Sequence, residues 1–177
     1  MAFSDPEENI KQFHLEEGMI VADLGAGSGA YTRAAAKVVG ESGIVYAVEV
    51  QKEFLETVAK SAVTERLENI EVIWGDIETI GGTKIDDNKI DAVILSNVLF
   101  QVPDKHGLIA ETKRILKPKG KILVVDWLDS FGGLGPQPSE VVSPEQAKQL
   151  FDEPCFAMGE DIDAGSNHYG FIVLYIG

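Results

Sequence analysis

The chain has 177 residues, 45% apolar and 25% charged, which is the size and composition of one soluble globular domain. Its only cysteine, Cys155, excludes an intramolecular disulfide and a cysteine-based zinc site. A net charge of −14, from 15 Lys+Arg against 29 Asp+Glu, repels phosphate backbones and argues against a nucleic-acid surface. From the N-terminus, MAFSDPEEN lacks the basic and apolar regions of a signal peptide, so a cytoplasmic protein is expected. MIVADL (19–24) reads as a buried strand ending in glycines, and residues 31–39 as an Ala-rich helix. IVYAVE (44–49) is a second strand. Phe54, Leu55, Val58, Ala59 and Ala62 form a helical stripe. IEVIWG (70–75) and DAVILSN (91–97) are further strands. A helix through Leu108, Ile109, Thr112, Ile115 and Leu116 is expected to be stopped by Pro118, and KILVVDW (121–127) is a fifth strand. No run approaches the roughly 18 consecutive apolar residues of a membrane span.

Strands alternating with helices predict an α/β fold with a mostly parallel sheet covered on both faces. The pattern changes after Trp127. SFGGLGPQP (130–138) is a Gly/Pro-rich loop, and Ser143, Pro144 and Gln146 read as a capped helix start. Residues 156–177 predict two strands around DAGSN, too close for a crossover and hence antiparallel. A single domain over 1–177 is expected, with 1–17 as a lid segment and 128–142 as an acceptor-side loop.

The most informative segment is VADLGAGSGAYT (21–32), where Gly25, Gly27 and Gly29 follow a strand and open a helix. Gly25, Gly27 and Ala30 satisfy the dinucleotide fingerprint, and Glu49 closes the second strand where a ribose-binding acid belongs. That fit leaves NAD(P) open as a ligand, and with it an oxidoreductase. Three features tilt the reading away from it. Asp23 would oppose a pyrophosphate at the helix N-terminus but would suit an ammonium group. Asp76 offers an acceptor for an exocyclic amine, with Trp74 and Ile77 as apolar neighbours. The chain also lacks the second domain with which most dehydrogenases hold substrate.

VADLGAGSG, VYAVE, WGDIE, DAVILSNVLFQV and LKPKGKILVVDW, in this order and spacing, resemble the class I S-adenosylmethionine (SAM)-dependent methyltransferases. The branch is that of the ubiquinone/menaquinone C-methyltransferases and related type 11 proteins. The resemblance covers about residues 8–127, with the tail fitting more loosely. It implies a Rossmann-like seven-stranded sheet of order 3-2-1-4-5-7-6 with strand 7 antiparallel. It implies SAM as cofactor and S-adenosylhomocysteine as product. Asp23 would contact the methionine ammonium, and Gly25, Ala26, Gly27 and Gly29 would lie under methionine and ribose. Glu49 would bind both ribose hydroxyls. Val50 and Gln51 would flank the adenine, although many relatives carry Asp where Gln51 sits. Gly75 precedes Asp76, which would bind the adenine amine while Ile77 packs on the ring. Ser96 and Asn97 would face the reaction centre, and Tyr31 the SAM carboxylate or substrate. Ser96-Asn97-Val98-Leu99 lacks the prolines and tyrosine of (N/D)PPY, which argues against adenine or glutamine N-methylation.

Methyl transfer from a sulfonium needs alignment and exclusion of water, and a general base only when the acceptor is a hydroxyl or carbon acid. The catalytic candidates are Asn97, Asp126 and His168. His14 falls in the lid segment and His106 on a surface helix. No metal is expected. The acceptor is expected to be a small molecule or a protein side chain. Acids crowd the lid and tail segments, among them Asp129, Glu140 and Asp163, which suggests a cationic or amine acceptor. A short lid leaves the pocket open or closed by a second copy, a homodimer. A non-catalytic SAM-binding module is the remaining alternative.

Overall fold

The computed structural model describes residues 4–177. In chain order the elements are α1 (Pro6–Phe13), β1 (Ile20–Leu24), α2 (Ala30–Val39), β2 (Ile44–Glu49), α3 (Lys52–Glu65), β3 (Ile70–Trp74), β4 (Ile90–Ser96), α4 (Lys105–Ile115), β5 (Leu116–Trp127), α5 (Pro144–Gln149), β6 (Phe156–Ile162) and β7 (His168–Tyr175). The sheet has seven strands in the order β3-β2-β1-β4-β5-β7-β6. β1, β2, β3, β4 and β5 pair in parallel, and β7 runs antiparallel to both β5 and β6. The topology is the one the sequence resemblance implies. It places the carboxyl ends of β1, β2 and β4 side by side, which is where ligands bind in open α/β sheets.

The central strands are apolar throughout because both of their faces are covered. Alternate residues feed two cores. Leu24, Val93, Leu95, Ile122, Val124 and Phe171 pack against Leu108, Ile109 and Ile115 of α4 and Phe151 beyond α5. Val21, Ala92, Ile94, Leu123 and Val125 pack against Ile10 and Phe13 of α1 and Ala34, Ala35 and Val39 of α2. The edge strand β3 is covered on one side only, leaving Val72 and Trp74 exposed.

Local signals set most boundaries. The Asp5 side chain accepts from the Glu7 and Glu8 amides to start α1, and Pro6 supplies a first-turn residue with no amide to satisfy. At α5 the Ser143 and Gln146 side chains cap reciprocally, as their spacing predicts. Pro118 corrects the expectation of a helix stop. α4 ends earlier, at Ile115, and the chain passes straight into β5. Leu116 pairs with Ile90 and Lys121 with Ala92, so residues 117–120 bulge from the ladder. Pro118 sits in that bulge, where its missing amide costs no sheet bond.

Candidate active site

The loop between β1 and α2 is held by its own amides. The Gly25 and Ala26 N–H groups both donate to Val48 O, at 2.9 and 3.1 Å, and Gly29 N donates to Ala26 O at 2.9 Å. Gly27 N donates to Glu49 Oε2 at 3.0 Å. Gly25 is required twice over. Its φ is +76°, and a Cβ there would lie 2.8 Å from Val98 Cγ2. Gly27 (φ +52°) faces open space, with nothing within 4 Å of a Cβ. Gly29 does not line the cavity described below. It caps α2 in a left-handed conformation, packed against Val58.

Asp23 is 2% exposed. Its carboxylate sits on the first turn of α2, accepting the Thr32 hydroxyl at 2.6 Å and the Thr32 amide. Burial pushes its pKa up to about 6, against the pull of the Thr32 bonds and with a smaller push from Glu49. A dinucleotide pyrophosphate needs that helix start and free loop amides. Here the start holds a carboxylate and the amides of Gly25, Ala26, Gly27 and Gly29 are taken. The geometry does not favour NAD(P).

Glu49 ends β2 with both oxygens engaged. Oε1 accepts the Val50 and Gln51 amides at 2.9 and 3.0 Å, while Oε2 takes Gly27 N. The carboxylate is thereby fixed across the mouth of the glycine loop. Asp76 is exposed and organises its own turn, accepting Glu78 N at 2.9 Å and Thr79 Oγ1 at 2.7 Å. Each of its oxygens keeps a lone pair for an amine. Ile77 lines the cavity. Trp74 does not, contrary to expectation: its indole donates to Val50 O at 2.9 Å and Lys52 lies 4.4 Å from its ring centroid.

A buried cluster steadies this side of the site and is invisible in the sequence pattern. Glu111 on α4 is fully buried and accepts Gly81 N at 2.8 Å, Thr83 Oγ1 at 2.6 Å and Arg114 Nη2 at 2.7 Å. These bonds hold its pKa down to about 2 despite burial. They clamp the loop that carries Asp76 and Ile77 onto α4.

At the opposite end, Asn97 follows β4 with φ 56°, a left-handed conformation that Asn tolerates. Its Oδ1 lies 2.9 Å from His168 Nε2. His168 is in register with Trp127 across β5 and β7, and the two rings lie 4.3 Å apart. Burial lowers the His168 pKa, so the imidazole is neutral at pH 7. Its Nδ1 is buried with no hydrogen-bond partner among the described residues. Asp126 takes a different position from the acceptor-facing one expected of it. It is 1% exposed and absent from the cavity wall. Its carboxylate receives Leu99 N at 2.9 Å and Trp127 N at 2.8 Å, which anchors the segment after Asn97.

A cavity of about 820 Å³ joins these parts. Asp23, Gly25, Ala26, Gly27, Tyr31, Glu49, Val50, Gln51, Gly75, Asp76, Ile77, Ser96, Asn97 and His168 all line it, as does Trp127 at the end of the fifth strand, together with Ser4, Pro6, Phe54, Gln101 and Val102, which sequence reasoning did not assign. Ser4 reaches it from the N-terminal segment, behind which the buried Asn9 donates from Nδ2 to Ser4 Oγ at 2.8 Å and to the Tyr31 hydroxyl at 2.7 Å. Residues 1–3 of that segment lie outside the described residues. The histidines His14 and His106 are exposed and off the cavity. Asp129, Glu140 and Asp163, which motivated a cationic acceptor, are also off it. They serve local turns, accepting Ser130 N, Gln137 N and Gly165 N. No group of three His, Cys, Asp or Glu among the described residues could hold a metal ion.

A family model described as a methyltransferase domain matches residues 15–162. The chain belongs to the methyltransferase domain family. Among solved structures, a SAM-dependent methyltransferase from Aquifex aeolicus superposes with a TM-score of 0.87 at 29% identity, covering 98% of this chain and 90% of that one. Demethylmenaquinone methyltransferase of Geobacillus sp. (strain WCH70) is 29% identical over 120 residues, 68% of this chain and 50% of that protein. Arsenite methyltransferase of Halobacterium salinarum is 30% identical over 112 residues, 63% of this chain and 28% of that protein. The chain thus spans about half the length, or less, of these curated relatives. SAM is the cofactor of this methyltransferase domain, and the residues fit it. A cavity of this volume lies in the usual range for small-ligand sites, about 300–1,000 Å³. A buried carboxylate suits the SAM ammonium, a fixed strand-end carboxylate suits the ribose hydroxyls, and Gly27 leaves room between them.

Proposed function

We propose that this methyltransferase domain transfers the SAM methyl group to a small neutral acceptor bearing a dissociable proton. In this reading His168 removes the proton and Asn97 fixes the imidazole. The observation that carries it is the chemistry of the acceptor end. Trp127, His168, Asn97, Gln101 and Val102 line it, and none of them is ionised at pH 7. An uncharged wall with two aromatic rings suits a neutral, ring-like acceptor. A thiolate-held acceptor is less well served, because Cys155 lies off the cavity and soft centres are held by thiolates.

Bound SAM supplies an electrophilic methyl group whose sulfur departs neutral. The protein's own contribution is placement. Asp23 would hold the ammonium at the start of α2, and Glu49 and Asp76 would hold the nucleoside at its two polar points. Tyr31, tied down by Asn9, sits at the methionine end. Asn97 and Trp127 line the remaining end of the cavity, where the acceptor would meet the methyl group. Donation of Nε2–H to Asn97 Oδ1 puts the His168 lone pair on Nδ1, the nitrogen without a partner. That lone pair is buried and unpartnered, so Nδ1 takes a proton only from a group packed directly against the imidazole. The acceptor's X–H bond breaks as the X–C bond forms, its proton passes to His168, and the sulfur keeps the electron pair of the broken C–S bond.

The test is S-adenosylhomocysteine formation, followed by mass spectrometry, with hydroquinone, a primary alkylamine and dithiothreitol as separate probes. Hydroquinone is expected to be methylated. His168→Gln is expected to lower kcat about 100-fold or more with the SAM Kd unchanged. Methylation of the amine alone, or full activity in His168→Gln, would overturn the assignment. SAM binding with no turnover of any probe would point to a non-catalytic module.

A further inference from the structure

The turn that follows β4 is a wall common to both ends of the cavity. Asn97, Val98, Gln101 and Val102 all line it. Val98 packs against Gly25 of the glycine loop so closely that a Cβ there would lie 2.8 Å from its Cγ2, while Asn97 meets His168 at the other end. We infer that Asp126 is a positioning residue for methyl transfer: by fixing this turn it couples occupation of the cofactor end to the setting of the His168 imidazole. The inference rests on the proposed place of the acceptor, beside His168, and not on the acceptor's own chemistry.

The hydrogen bonds of the turn carry it. Four amides follow Val98. Those of Gln101 and Val102 both donate to Val98 O, at 3.0 and 3.1 Å. Those of Leu99 and Phe100 leave the turn and go to the Asp126 carboxylate. Its Oδ1 also takes Trp127 N, so one carboxylate ties the turn to the residue whose ring lies against the imidazole. Asn97 N donates to Val125 O at 2.8 Å, and Gln101 Nε2 returns to Asn97 O at 2.8 Å. At the far end Lys105 Nζ donates to Val102 O at 2.8 Å. The turn therefore has a carboxylate on its leading amides and an ammonium on its last carbonyl. Held in this way, Val98 and Asn97 share one rigid segment, and a ligand pressing on Val98 bears on Asn97. Burial pushes the Asp126 pKa up to about 6, against the pull of the Trp127, Leu99 and Phe100 amides and of Lys105. Packing alone would be served as well by an apolar side chain. What the carboxylate adds is one fixed arrangement of three amides.

The test reads the imidazole directly, in protein carrying 15N-labelled histidine. Hydrogen exchange at His168 Nε2–H is measured by NMR with and without saturating S-adenosylhomocysteine. In the wild type the ligand is expected to slow exchange about five-fold or more. Asp126→Asn sets an amide donor against backbone N–H groups. It is expected to speed exchange about tenfold in the ligand-free protein and to bring the effect of the ligand close to none. Its Kd for S-adenosylhomocysteine is expected to stay within about threefold of wild type, because Asp126 does not line the cavity. Lys105→Gln frees the other end of the turn and gives the same comparison should Asp126→Asn not fold. A melting shift on adding S-adenosylhomocysteine reports that each variant is folded. Exchange indifferent to the ligand in the wild type, or a ligand effect of full size in the folded variants, overturns the inference. Coupling that holds while hydroquinone is not methylated overturns the catalytic assignment of His168 and leaves the role of Asp126 standing.

Discussion

Asp23→Asn should make the ligand-free protein more stable at neutral pH while crippling its affinity for SAM. The Asp23 pKa stands at about 6, against an ordinary 3.8, and burial is the main cause. At about 1.4 kcal/mol per pH unit, holding the buried carboxylate ionised at pH 7.5 costs the folded state about 3 kcal/mol. The sign follows from linkage. A carboxyl whose folded pKa is raised binds protons more tightly when folded, so the cost disappears as pH falls from about 6 to about 4. An asparagine removes the charge and keeps an acceptor for the Thr32 hydroxyl, but leaves amide hydrogens short of partners, at about 1–3 kcal/mol. The net gain is about 1 kcal/mol, a rise in Tm of about 2–4 °C for a chain of this length. For SAM the logic reverses, since its ammonium needs the ionised form. At pH 5 only about one molecule in ten has Asp23 ionised when its pKa is about 6, so wild-type Kd should rise roughly tenfold between pH 7 and pH 5. Asp23→Asn should bind weakly with no such dependence. Thermal melts of both proteins from pH 5 to pH 8, with SAM titrations by calorimetry, measure both effects. A variant that melts well below the wild type at pH 7.5, or a wild-type Kd flat from pH 5 to pH 7, would refute the reasoning.

Glu49→Gln should raise the SAM Kd roughly 10- to 100-fold and cost about 1–3 kcal/mol of stability, because its amide group sets a donor against backbone N–H groups; an unchanged Kd would remove Glu49 from the site. Gly25→Ala and Gly27→Ala should separate folding from binding. The first meets Val98 at 2.8 Å and should lose about 2–4 kcal/mol of stability. The second meets nothing and should lose about 1 kcal/mol, yet its methyl group intrudes on the ligand and should cut SAM affinity at least about tenfold. Glu111→Ala should cost about 3–5 kcal/mol in denaturant melts because it strands Arg114 and Thr83. Since the Glu111 pKa lies near 2 rather than 4.5, its contribution is present in full above pH 4.5 and is lost as pH falls towards 2, where the two melting curves should converge.

Much of the cofactor side was legible in the sequence because it is written in short-range signals. A strand, three glycines and a helix fix Asp23 against Thr32 only nine positions on, and Glu49 is held by the two amides that follow it. The alternation of apolar runs with helical patterns predicts the parallel sheet, while its strand order comes from the family resemblance. Misreadings arose where tertiary pairing decided the outcome. Pro118 reads as a helix stop from propensity alone, but pairing of Leu116 with Ile90 pulls the chain into a strand first. Trp74 reads as an adenine neighbour from its place in WGDIE, but on an edge strand its side chain found Val50 O and Lys52 instead. The bonds from Thr83 to Glu111 and Arg114 and the Asn9–Tyr31 bond join residues 22 to 31 positions apart, and no periodicity announces them. Asp129, Glu140 and Asp163, which suggested a cationic acceptor, lie off the main cavity, where each accepts a local backbone N–H.

The position of β7, between β5 and β6, has a consequence for the nascent chain. During synthesis β6 leaves the ribosome before the strand that must separate it from β5, so it has no place in the sheet until β7 follows. The economical route is for β6 and β7 to zip into a hairpin and dock as a unit. Until then the flank of β5, with its Leu123 and Val125 ladder positions unpaired, is an open apolar edge of the kind that recruits other chains. Asp23, Glu49 and Asp76 all precede that step, whereas His168 arrives with it. A polypeptide released before residue 168 would carry Asp23, Glu49 and Asp76 and no imidazole beside Trp127, so the hairpin that covers the flank of β5 also completes the proposed site.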